Sequence, residues 1–90
     1  MSALSHRDQL AVLARLAGRE LSGYPTALLS QQALEVQLTR SALEHGATWR
    51  VIAEVTGQES GLVAKRRAKR LAAKVSRALV PHLNQQEDSQ

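Results

Sequence analysis

Lys65-Arg66-Arg67-Ala68-Lys69-Arg70 places five cations within six residues. Cations packed this densely do not neutralise one another; they attract a polyanion, and lysine and arginine release counterions when they meet phosphates. The plain alternative is a solvated helix face. The run begins within about one helical turn of Ser60, whose hydroxyl can cap a helix start. On a helix from Ser60, Leu62, Arg66, Lys69, Arg70 and Ala73 share one side with Lys65 on its flank. Ala64, Ala68, Leu71, Val75, Ala78 and Leu79 recur at the spacing of a buried face.

The 90-residue chain carries a net charge of +4, unevenly distributed. In residues 1–45 four arginines balance Asp8, Glu20, Glu35 and Glu44, whereas residues 46–80 set eight basic side chains against only Glu54 and Glu59. Glu87 and Asp88 make the last ten residues acidic. A positive excess confined to one segment is the footprint expected for nucleic acid.

These residues need elements to hold them. A chain of this length supports one modest core, and 43% hydrophobic residues are enough to build it. Phe is absent, and Trp49 and Tyr24 are the only aromatics. A core of Leu, Val, Ile and Ala suits closely packed helices, so the expected class is all-α: a four-helix single domain containing a helix-turn-helix, with a long C-terminal helix.

Ser5-His-Arg-Asp8 reads as a variant capping box before Leu10, Leu13, Ala14 and Ala17, and predicts a first helix from Ser5 to Ala17, ended by Gly18. Arg19 to Pro25 reads as a connector. Thr26 to His45 holds no Gly or Pro and predicts one long helix, with a break at Ser30 as the alternative. Its stripe comprises Leu28, Leu34, Leu38 and Ala42, widened by Leu29, Val36 and Leu43. Thr48 is the expected cap of a short helix whose apolar face is Trp49, Ile52, Ala53 and Val55, closed by Gly57. The last helix should run to a stop at Pro81. That gives a domain over 1–80, a helix-turn-helix over about 48–71, and a flexible polar tail over 81–90.

Gly46-Ala-Thr-Trp-Arg-Val-Ile-Ala-Glu-Val-Thr-Gly57, followed by a capped basic helix, resembles the helix-turn-helix segment of small bacterial DNA-binding proteins of the transcriptional-regulator type. The resemblance covers a quarter to a third of the chain and implies that Trp49, Ile52 and Ala53 support, Gly57 turns, and Lys65, Arg66 and Lys69 face DNA. The chain departs from the pattern at Gln58, where an apolar residue is usual, and at Arg66, where a tight turn would need a second apolar residue after Val63. A turn one residue longer would put Ala64, Ala68 and Leu71 inward instead.

On this reading the partner is double-stranded DNA. Gly61, Leu62, Lys65, Arg66 and Lys69 are candidates for base edges, where arginine can pair bidentately with guanine and an apolar side chain can meet a thymine methyl. Thr48, Arg50, Ser60, Arg67, Arg70 and Lys74 are candidates for phosphates. A homodimer would match a palindromic site, using the Thr26–His45 helix or the Ala72–Val80 segment. The rival readings are a nucleoid, plasmid-partition or phage architectural protein of low specificity, and a module docking on the transcription machinery. RNA is disfavoured because few aromatics are available to stack bases.

His6, His45 and His82 are scattered and Cys is absent, so neither a metal site nor another cofactor is expected. Nucleophile motifs and glycine-rich phosphate loops are also missing, and the expectation is a protein that is not an enzyme, with no evident small-molecule ligand. Without an apolar run of about 20 residues, no membrane contact is expected and a cytoplasmic, nucleoid-associated location follows.

Overall fold

Among the described residues four helices form in the order α1 (His6–Leu16), α2 (Leu28–Glu44), α3 (Trp49–Thr56) and α4 (Gly61–Asp88). The computed structural model describes residues 4–88, with side-chain surroundings described through Ala78, and contains no strand among the described residues.

Local sequence explains most of the boundaries. The Ser5 hydroxyl accepts from the Asp8 N–H at 3.2 Å and starts α1. Along α1, Leu10, Leu13, Ala14 and, just past its end, Ala17 return at three- and four-residue intervals, and all are buried. They meet Leu38 and Ala42 of α2 and Ile52 of α3 to form the core. Alanines at several of these positions keep the helices close.

His6 lies beside Glu35 at one end of this packing, and Gly18 lies against His45 at the other. Helices α1 and α2 therefore run in the same direction, and residues 17–27 must carry the chain back. Tyr24 on that return reaches His6, while Leu21 and Tyr24 pack on the core. The expected helix over 26–45 forms without a break at Ser30 and begins two residues late. Ala27, at its N-cap, cannot cap, and the Gln31 side chain instead donates to the Pro25 and Thr26 carbonyls.

The predicted stripe of α2 is only partly inward. Glu35, Leu38, Thr39 and Ala42 are its buried residues, whereas Leu28 is 64% exposed. Leu28 shares a face with Glu35 but lies two turns ahead of it, beyond the level at which α1 begins. The face continues; the cover from α1 does not.

Helix α4 packs on α3 and runs back along α2. It passes Pro81 and continues to Asp88, which corrects the stop expected at proline; residues 89 and 90 of the expected polar tail lie outside the described residues. A proline removes one N–H from the ladder, but the hydrogen bonds before and after it form separately, so one loss need not end a helix of 28 residues. Ala78, expected inward, is exposed. The Leu79 and Val80 side chains lie outside those described, so the part of the expected Ala72–Val80 interface that they would supply is not placed.

Candidate nucleic-acid interface

Thr48 begins α3 with its hydroxyl accepting from the Val51 N–H at 3.3 Å. Ile52 and Ala53 are buried beneath, while Trp49 and Val55 pack half-buried against the core. Gly57 ends the helix in the left-handed conformation at φ 72°, which a side chain would strain. The Gln58 N–H then donates to the Ala53 carbonyl at 2.8 Å, and its side-chain amide donates to the Thr56 carbonyl. Gln58 thus acts in the turn by hydrogen bonding, where an apolar residue would act by packing.

Ser60 opens α4 as expected, accepting from the Val63 N–H at 3.2 Å. The first turn of α4 lies hard against the start of α3: a Cβ on Gly61 would sit 3.2 Å from the Arg50 nitrogen and from the Trp49 carbonyl carbon and Cβ. The close approach that needs glycine at position 61 is therefore to α3. That contact sets the start of α4 beside the start of α3. Both capping hydroxyls accept from the backbone and retain an O–H to donate outward.

Ala64 and Val75 are buried, with Ala68 and Leu71 half-buried between them. The longer-turn register is the one adopted. It turns Leu62, Lys65, Arg66, Lys69, Arg70 and Lys74 to the surface, and Leu62, at the tip, is 57% exposed. From Leu62 to Lys74 this cationic side extends about 18 Å along the helix. Arg50 is also free of the core, with Glu54 at 4.0 Å on an exposed neighbouring turn.

Arg67 is the exception among the expected phosphate contacts. Its guanidinium points inward and donates through both Nη1 and Nη2 to the Glu35 carboxylate, the Nη2 contact being 3.4 Å. His6 Nε2 donates to the same carboxylate at 3.1 Å, and His6 Nδ1 lies 2.8 Å from the Tyr24 hydroxyl. A carboxylate buried to this depth needs such partners, and Arg67 is engaged in meeting that need. The chain Tyr24–His6–Glu35–Arg67 ties the connector, α1, α2 and α4 together. No buried side-chain nitrogen or oxygen is left without a partner among the described residues.

Sequence reasoning missed this positioning network. Its only local signal was an acidic residue inside the apolar run Leu34-Glu35-Val36. It also missed Arg40, which stands exposed on α2 across from Lys65 and Lys69.

No family model, curated protein or solved structure matches the chain. Among the described residues no group of three His, Cys, Asp or Glu side chains could hold a metal ion, and no helix is long and apolar enough to cross a membrane.

Proposed function

We propose that this chain binds double-stranded DNA with sequence preference, as a regulator of transcription, by inserting the first turns of α4 into the major groove. The observation that carries this reading is the outward side of α4. Leu62, Lys65, Arg66, Lys69 and Arg70 project together from a helix capped at Ser60, seated on α3 at Gly61 and tied to α2 through Arg67. A rigid cationic helix side with an apolar tip offers both kinds of contact a base-reading helix uses.

Lys65, Arg66 and Lys69 take base edges and Leu62 a thymine methyl. Arg50, Thr48, Ser60, Arg70 and Lys74 take phosphates on either side. Gly61 serves by letting α4 sit close to α3, which brings the two sets together. The role is binding, without catalysis, in the cytoplasm at the nucleoid.

A homodimer doubles so small a footprint. The exposed Leu28 and Leu29 at the start of α2 offer apolar surface for it. Selection of bound sites from a random duplex pool tests the whole reading: a two-fold symmetric site is the expected product. An unenriched pool retained only at low salt would instead identify a low-specificity architectural protein.

A further inference from the structure

Between α2 and α4 lies an open groove of about 200 Å³. Its floor is mainly apolar, formed by Val36 and Leu43 of α2, Trp49, and Ala68 and Ala72 of α4, with the buried Thr39 among them. Arg40, Lys65 and Lys69 stand at its rim, all exposed. Glu35 also lines it, but its carboxylate is taken by Arg67 and His6 and does not offset the rim.

We infer that this groove docks an acidic amphipathic helix of a protein partner, with its apolar side chains on the Trp49 floor and its carboxylates on Arg40, Lys65 and Lys69. Three features select that occupant. The volume falls below the roughly 300–1,000 Å³ of sites that enclose a small ligand, and the groove is partly open to solvent, which suits a row of side chains. Its walls are two helices lying side by side, the arrangement into which a third helix lays its apolar face. The rim is uniformly positive, so a second copy of this chain docking by two-fold symmetry would bring each cationic rim against its own like charge, whereas an acidic helix is complementary.

Lys65 and Lys69 belong both to this rim and to the proposed DNA side. On the DNA reading, to which this consequence alone is tied, the partner and DNA exclude one another.

Trp49 is the only tryptophan in the chain, so its fluorescence reports on the groove floor. The probe is a synthetic helix of about four turns without Trp or Tyr, carrying Leu at i, i+3, i+4 and i+7 with Glu and Ala elsewhere. Titrated into the full chain, it should shift Trp49 emission saturably, while a scrambled peptide of the same composition and a Lys-for-Glu version should not. Arg40→Glu, on an exposed side chain, and Ala72→Glu, on the floor, should each weaken the peptide roughly tenfold or more. Both variants should keep the wild-type circular dichroism. The proposal is overturned if the acidic peptide leaves Trp49 emission unchanged, if either control peptide titrates equally well, or if Arg40→Glu binds like wild type. Failure of the wild-type chain to retain DNA would remove the proposed function and the exclusion, while the peptide titration would still decide the groove.

Discussion

The guanidinium of Arg67 on α4 donates twice to the carboxylate of Glu35 on α2, across 32 positions of sequence, and among the described residues the other side chain on that carboxylate is His6. This contact turns one member of the basic run away from solvent and fixes the roll of α4. Lys69, near the opposite side of the helix, and Arg66, about 100° round from Arg67, are thereby held outward.

Replacing Glu35 with Ala should destabilise the fold by about 2–3 kcal/mol, below the full cost of breaking a fully buried pair because Arg67 and His6 are each about one-third exposed. Urea unfolding of Glu35→Ala, Arg67→Ala and the double variant measures the coupling. Strict additivity of the two single losses would show that the pair does not hold α4.

Arg67 and Arg70 are neighbours in sequence with different duties, and salt dependence separates them. Arg70→Ala should lower the slope of log affinity against log salt by about 1, as expected for one lost phosphate contact, while Arg67→Ala should lower stability and leave the slope unchanged. Equal slopes for the two variants would contradict the assignment.

Arg66→Ala should retain helical circular dichroism and lose sequence preference by about 1–3 kcal/mol at one base pair of the selected site. Competition between that site and single-base variants of it provides the measurement. Unchanged discrimination would place Arg66 outside the base-reading set.

At position 60 the helix cap and the proposed phosphate contact can be separated. Ser60→Asp keeps an acceptor for the Val63 N–H, so the melting temperature should stay near wild type, whereas Ser60→Ala should cost about 1 kcal/mol. The aspartate would also set a negative charge against phosphate, so DNA affinity should fall more for Ser60→Asp than for Ser60→Ala. The reverse order would remove Ser60 from the interface.

Gly61→Val tests the seat of α4 on α3. The atoms 3.2 Å from the added Cβ are mainly backbone and cannot swing aside, so about 1–3 kcal/mol of stability should be lost. Any protein that remains folded should bind DNA less well, because Leu62 and Lys65 move with the displaced turn.

The elements of this protein were largely legible in its sequence because their causes are local. Ser5, Thr48 and Ser60 each bond an N–H three residues on, Gly57 takes a conformation that side chains resist, and the apolar periodicity of α1 and α3 records which face is buried. The cationic side of α4 was legible for the same reason, since helical spacing alone groups Arg66 with Lys69 and Arg70. Tertiary structure decided what depends on neighbours distant in sequence. The register after Gly57 was settled by the packing of Ala64 and Val75, and the exposure of Leu28 by where α1 begins. The inward turn of Arg67 required Glu35 to be buried without enough charge of its own side to balance it. Spacing specifies direction on a helix, but whether that direction meets a partner, a groove or water is a property of the assembled core.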